Sequence, residues 1–422
     1  MLLSSRLNKR EIMGLFWTAG AVIFVIMLVR FPQAVYLASH RGLKAWWEIV
    51  FPALLPFFIG TEILMGFGVV RFMGVLMEPI MRPLFNLPGA ASFVVAIGFT
   101  SGFPIGSIVT TDLRKDGLVT KTEGERLFSF TNNASPLFML AAVAVGMYQS
   151  PNLGLVLAGA HYGANLTIGL LMGVFSNLRM KGWAAPVRAD YSQPLKQILR
   201  RAFRELGLVH RDNYQPLGWR LSTAISKSIN TLLMIGGFII TFSVLIEVFS
   251  KLGLLGHFAH LLAIILTNLG LDSQLAPALA TGIFEITLGT KLAAETAAPL
   301  PDKMLITSFL LAWSGISVHA QVAGIISGTD LRYWPFFLCR LAHALLAAGY
   351  SLLLYKPINA LLETATIPVW GSLTTKFGGV LPWWYQFKLF SWLFIWDCGL
   401  LGLVALLLLT LKQLKLPRNL FW

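Results

Sequence analysis

The chain has 422 residues, 56% of them hydrophobic and 12% charged, with a mean hydropathy of +0.71. That balance excludes a soluble globule and predicts an all-α polytopic membrane protein whose apolar surface meets the lipid bilayer. The net charge of +14 gathers beside apolar runs, so it reads as positive-inside bias and implies no nucleic acid partner.

Arg6, Lys9 and Arg10 precede an apolar run from Ile12 to Val29 without an A-x-A cleavage site, which predicts an uncleaved first span with a cytoplasmic N-terminus. Residues 1–45 thus hold this span and a short external connection. A first repeat is expected over 46–178. It opens with a span at about 49–69 that carries Glu62, followed by an interfacial helix at 71–85. Residues 91–111 are interrupted by Gly98, Gly102, Pro104 and Gly106, including the polar pair Thr100 and Ser101. Crossing a bilayer takes about 20 apolar residues, so a run broken in its middle suits a re-entrant hairpin. Residues 127–148 are interrupted by Thr131, Asn132, Asn133, Ser135 and Pro136, the mark of a broken transmembrane helix. A span at about 154–177 then leads to residues 179–222, where nine Lys/Arg stand against three acids, a basic cytoplasmic loop.

The pattern then restarts. A second repeat over 223–354 has a span at 226–249, a hairpin at about 275–298 with Glu285 and Lys291, a broken helix at about 304–326 with Ser314, Ser317, His319 and Gln321, and a crossing at 333–354. Ser135 and Ser317, and His161 and His343, recur at one offset of 182, while Phe58 and Phe238 differ by 180 and Gly106 and Gly289 by 183. Counting crossings from a cytoplasmic start makes the second repeat begin in the opposite sense, so the repeats are inverted. Residues 355–422 are expected to form an external segment and a C-terminal span ending in the cytoplasm. Arg30, Arg41, Lys44, Lys356 and Lys376 fall outside on this count, against the charge bias.

Polar groups beside breaks in a span mark a pathway. The candidate substrate-binding residues are therefore Thr100, Ser101, Thr131, Asn132, Asn133, Ser135, Glu285, Lys291, Ser314, Ser317 and His319. Glu62, His161, Gln321 and His343 are candidates for a coupling or structural polar role. Glu285 and Lys291 share a hairpin and are read as possible partners. Cys339 and Cys398 are far apart in apolar stretches, which argues against a disulfide or a thiolate metal site. No H-E-x-x-H or G-x-S-x-G occurs, so catalysis is not expected.

The segments GFTSGFPIGS, SFTNNASPLF, GIFEITLGTK and AWSGISVHAQVA, in that order over roughly residues 46–350, resemble the YlbJ (SpoVV) family of sporulation integral membrane proteins of endospore-forming Firmicutes. That family is similar in turn to Gate, or nucleoside-recognition, domains and to concentrative nucleoside transporters, in which two re-entrant hairpins and two broken helices hold the substrate. The resemblance implies a secondary-type transporter moving dipicolinic acid across the outer forespore membrane, with Na+ or H+ as the candidate coupling ion and a homo-oligomer as a possible assembly. Nucleosides or nucleobases are the alternative substrates, although GFTSGFPIGS replaces the GQTE-type first hairpin of the nucleoside carriers. A non-transporting scaffold of a sporulation membrane complex is the reading from another class. For a dianionic substrate, half-helix N-termini together with Lys291 and His319 are the expected sources of positive potential.

Overall fold

A computed structural model describes residues 9–136, 138–179, 195–212 and 215–364, and every regular element among them is helical. Helix α1 (Lys9–Arg30) is apolar from Met13 onward and has no fully buried residue in that stretch, touching the core only through the partly buried Phe24, Met27 and Leu28, as suits a largely lipid-facing span. Helices α2 (Pro32–Ala45) and α3 (Phe51–Gly66) run together through a π-helical turn at Trp46–Val50. The connection expected after the first span is therefore helix. His40, Arg41 and Lys44 gave it the look of a loop, but its small face packs on a later helix, α10 (Leu217–Lys251). Ser243 donates to the Ala38 carbonyl at 2.8 Å, and a Cβ on Gly42 would sit 3.0 Å from Ile240 Cα. Arg41 pairs with Glu247 at 2.7 Å, so the charge that resembled a loop joins two helices.

Gly68, in the left-handed region at φ 80°, turns the chain by 83° into α4 (Val69–Phe85), where the interfacial helix was expected. Helices α5 (Ala91–Ser101) and α6 (Ile105–Lys115) form the first hairpin. Helix α7 (Lys121–Thr131) opens on a capping box between Thr120 and Glu123, which satisfies two first-turn donors, and it stops at residues 132–135. A π-helical segment (Phe138–Met147) and α8 (Pro151–Arg179) follow.

The basic stretch is not wholly a loop. Residues 195–212 form α9 (Leu195–Asp212), which lies along α4 with Phe203 edge-on to Phe72 at 5.2 Å, and residues 217–222 already belong to α10. Ile198, Ala202 and Leu206 follow helical spacing between the basic residues, a pattern that the charge count had hidden. Residues 180–194 lie outside the described ones.

After α10, Gly253 (φ 73°) turns the chain into α11 (Leu254–Asn268). Helices α12 (Ala276–Phe284) and α13 (Ile286–Glu295) make the second hairpin. Helices α14 (Leu300–Trp313) and α15 (Gly315–Ile326) make the second broken helix, and α16 (Tyr333–Thr364) closes the series. The expected external segment from residue 355 begins as the last turns of α16, and the expected C-terminal span lies outside the described residues. Five stretches among the described residues are long and apolar enough to cross a bilayer, and the bent pair α3–α4 would make a sixth.

The two broken helices run antiparallel. The start of α7 meets the residues after α15, where Arg332 grips the buried Glu125 at 2.8 Å and Arg114 at the end of α6 pairs with Asp330 at 3.0 Å. At the far end, Tyr148 after the π-helical segment bonds Thr307 in α14 at 2.6 Å.

Candidate functional site

Breaking a helix frees carbonyls that the next turn would have bonded, and in a low-dielectric interior each needs a donor. At the first break the missing donors come from distant helices. Arg340 of α16 donates through Nη2 to the Ser129 carbonyl at 2.9 Å and through Nη1 to the Asn132 carbonyl at 2.7 Å. The Phe130 carbonyl takes the Asn133 amide at 3.2 Å and also the Asn165 amide of α8. The Thr131 carbonyl is instead overlaid by backbone of the first hairpin: a Cβ on Gly98 would fall 2.1 Å from that oxygen and one on Gly106 2.4 Å from it. Glycine is required at both positions because the hairpin touches the broken helix with its main chain.

Around this accounting, several polar atoms are buried without a partner. Both side-chain atoms of Asn132, the Asn133 Oδ1, the Ser101 Oγ, the Nδ1 atoms of His161 and His343 and the Arg340 Nε are in this state. Each orphan of this kind costs about 1–3 kcal/mol. His161 accepts through Nε2 from the Ala134 amide at 3.2 Å, and His343 Nε2 lies 2.8 Å from the His161 carbonyl, with the two rings 4.6 Å apart. The pair that recurs in the sequence thus meets in space.

Arg340 is fully buried, and none of the ion pairs among the described residues includes it. Its hydrogen-bond acceptors are the two carbonyls and the Asn165 Oδ1 at 3.2 Å, all neutral. A buried guanidinium ordinarily requires a carboxylate beside it, so this site holds an uncompensated positive charge. Sequence reading passed over it.

The second break is built differently. Ser314 takes the left-handed conformation at φ 72°, and Gly315 at φ 77° lies so close to the second hairpin that a Cβ would stand 3.1 Å from the Ile286 nitrogen. His319 uses both ring nitrogens, one on the Tyr333 hydroxyl at 2.6 Å and one on the Trp313 carbonyl at 3.0 Å, and stacks beside Trp313. Glu285 accepts from the Leu288 amide at 2.8 Å and so caps α13. Ser317 and Gln321 are buried on α15.

Phe103 at the first hairpin tip, Ala134 at the first break and Ile286 beside the second hairpin tip share one apolar cluster. The hairpin tips and the breaks therefore belong to one region. Gly102 lies against Ser135, and Gly315 against Glu285, while Ser129, Asn132 and Asn165 are the partners of Arg340 itself. Ser135 accepts from the Phe138 amide at 3.1 Å. The hydroxyls of Thr100 and Thr131 bond carbonyls of their own helices, Ala96 at 2.9 Å and Leu127 at 2.8 Å.

Two expected members stand apart. Lys291 is 61% exposed and faces Glu295 at 3.9 Å, so the Glu285–Lys291 pair does not form and Lys291 is not the cation of this site. Helical geometry explains it: positions four apart share a face, and positions six apart do not. Glu62 is paired with Lys227 of α10 at 3.1 Å. Among the described residues no group of His, Cys, Asp and Glu is arranged to hold a metal.

Antiparallel broken helices, two hairpins packed tip-on to the breaks and a buried polar centre define a polytopic helical membrane protein. Its residues 47–151 and 232–329 match the Gate family, described as nucleoside recognition. The chain belongs to the YlbJ family of sporulation integral membrane proteins: it is 44% identical over 352 residues to the sporulation integral membrane protein YlbJ of Bacillus subtilis, covering 83% of this chain and 85% of that one. An uncharacterized protein of Alkalihalophilus pseudofirmus is 28% identical over 137 residues, 31% of this chain and 29% of that one. No solved structure matches the chain.

Proposed function

We propose that this protein is a secondary-type transporter of a small organic anion, with dipicolinate as the cargo and the outer forespore membrane as its location. The observation that carries the reading is Arg340, a fully buried cation without a carboxylate, beside the unpaired side chain of Asn132. A carboxylate entering there supplies the missing negative charge and accepts from donors that now have no acceptor. The flat dianion has a carboxylate at each end of an aromatic ring, and rings of that kind suit the Trp313, Tyr333, Phe336 and Phe337 cluster around His319.

In this reading the halves are inverted repeats with re-entrant hairpins. Supporting it are the antiparallel broken helices and the order of elements: a long helix, a left-handed glycine at 68 or 253, a shorter helix, a hairpin, a broken helix and a long helix. The first hairpin has its open end beside Asp330, where Arg114 pairs, while the second has its open end by Lys303, whose Nζ donates to the Ala294 and Thr296 carbonyls at 2.7 and 2.8 Å. A neutral nucleoside is the second reading, favoured by the Gate match and by the amide of Asn132. Arg340 favours the anion over it.

Binding to the purified protein tests the choice. Dipicolinate is expected to raise the thermal unfolding midpoint in a concentration-dependent way, by about 2.7 kcal/mol of linkage at 100 times its dissociation constant, while uncharged pyridine and uridine leave it unmoved. Stabilisation by uridine and none by dipicolinate would reverse the assignment.

A further inference from the structure

Helix α9 carries Lys196, Arg200, Arg204 and Arg211, all of them exposed. At about 100° per residue they fall within an arc of about 80°, so they share one face of the helix. Lys196, Arg200 and Arg204 follow one another four apart, the spacing at which like charges repel and weaken a helix. Among the described residues no ion pair includes any of those three. Ala202 is buried and Ile198 and Leu206 are partly so, which sets the opposite face against α4, and Glu205 belongs to that side, about 140° round from the middle of the basic row. A Cβ on Gly207, inside the basic arc, would meet nothing within 4 Å, so the row stands open.

We infer that this face of α9 binds the phosphate groups of anionic phospholipids at the membrane surface. Three of the four cations are arginines, whose planar forks pair with phosphate oxygens through two parallel bonds. Helix α9 lies in the connection between α8 and α10, two of the stretches long and apolar enough to cross a bilayer, so both ends of that connection return to the bilayer. Large apolar side chains stand exposed beside the cations: Phe203, 61% exposed, borders the row, and Leu217 and Trp219 at the start of α10 are 66% and 53% exposed. A soluble acidic partner offers charge alone, whereas a bilayer takes the rings and the leucine among its upper acyl carbons and the guanidinium groups at the depth of its phosphates. Insertion bias asks only for basic residues somewhere in a short connection. Four on one helix face, edged by an exposed aromatic ring, exceed that requirement, and headgroups supply the negative charge that relieves the repulsion along the row.

The test uses purified full-length protein in lipid nanodiscs of phosphatidylcholine, with and without phosphatidylglycerol, and reads the thermal unfolding midpoint, so it is independent of whether the protein transports an anion. Phosphatidylglycerol is expected to raise the midpoint, and high sodium chloride to remove the rise. The variant combining Lys196→Gln, Arg200→Gln and Arg204→Gln is expected to lose most of the rise and, freed of like-charge repulsion, to be no less stable than the unaltered protein in phosphatidylcholine alone. A merely structural row would instead cost the variant the same stability in both lipids, and that result would overturn the inference. No rise with phosphatidylglycerol, or a rise of equal size in the variant, would overturn it as well. Inorganic phosphate or polyglutamate added to the phosphatidylcholine discs is expected to leave the midpoint unmoved; either one matching phosphatidylglycerol would make the ligand a soluble anion or an acidic chain and overturn the lipid assignment.

Discussion

Replacing Arg340 with methionine is expected to cut dipicolinate uptake by about a hundredfold or more, while moving thermal stability far less. The asymmetry follows from what the guanidinium does. It bonds the Ser129 and Asn132 carbonyls but bears the cost of a buried charge without a carboxylate. Removing the charge relieves that cost and leaves two carbonyls and the Asn165 Oδ1 short of a donor, at about 1–3 kcal/mol each, so the two effects oppose one another. With an anion bound there is no such offset, since a buried carboxylate that loses its partner is penalised by about 3–5 kcal/mol. Arg340→Lys keeps the charge but loses the fork that spans two carbonyls, and it is expected to retain part of the uptake. A folded Arg340→Met protein moving dipicolinate at the wild-type rate would place the anion elsewhere.

The second large effect is on folding. Gly98→Ala is expected to destabilise the protein by at least the ~1–3 kcal/mol typical of overpacking, because its Cβ would be 2.1 Å from the Thr131 carbonyl and the obstacle is backbone. Gly289→Ala belongs with it, meeting Gly282 Cα at 2.1 Å across the second hairpin. Gly60 in α3 and Gly349 in α16 have nothing within 4 Å of a built Cβ, so alanine there is expected to be neutral or to stabilise by up to about 1 kcal/mol through helix propensity. Unfolding midpoints of the four variants check the contrast; equal behaviour would mean that the hairpin does not rest on the broken helix.

Much of the core was legible. TNNAS and WSGI, each a polar interruption inside an apolar run, mark the places where helices stop, and the glycine spacing of GFTSGFPIGS marks a hairpin whose main chain must come close to something. Arg340 was not legible, because its partners Ser129 and Asn132 lie more than 200 residues earlier and no local pattern joins them. One signal was present: at the offset that aligns His161 with His343, Arg340 falls on Ala158, so a charge breaks the symmetry within an apolar helix. Lys291 misled for the opposite reason, since a shared hairpin suggested a pair with Glu285, whereas the spacing to Glu295 gave the true neighbour. Charge also hid α2 and α9, whose small or apolar faces carried the helical period beneath Arg and Lys.

Uptake by proteoliposomes containing only this protein tests the central claim most directly. Labelled dipicolinate and labelled uridine are offered side by side, with protein-free vesicles as the background. Saturable dipicolinate uptake that unlabelled dipicolinate suppresses and uridine does not is the predicted result. Saturable uridine uptake with dipicolinate at background would contradict the anion site built around Arg340, and background levels of both would contradict transport itself.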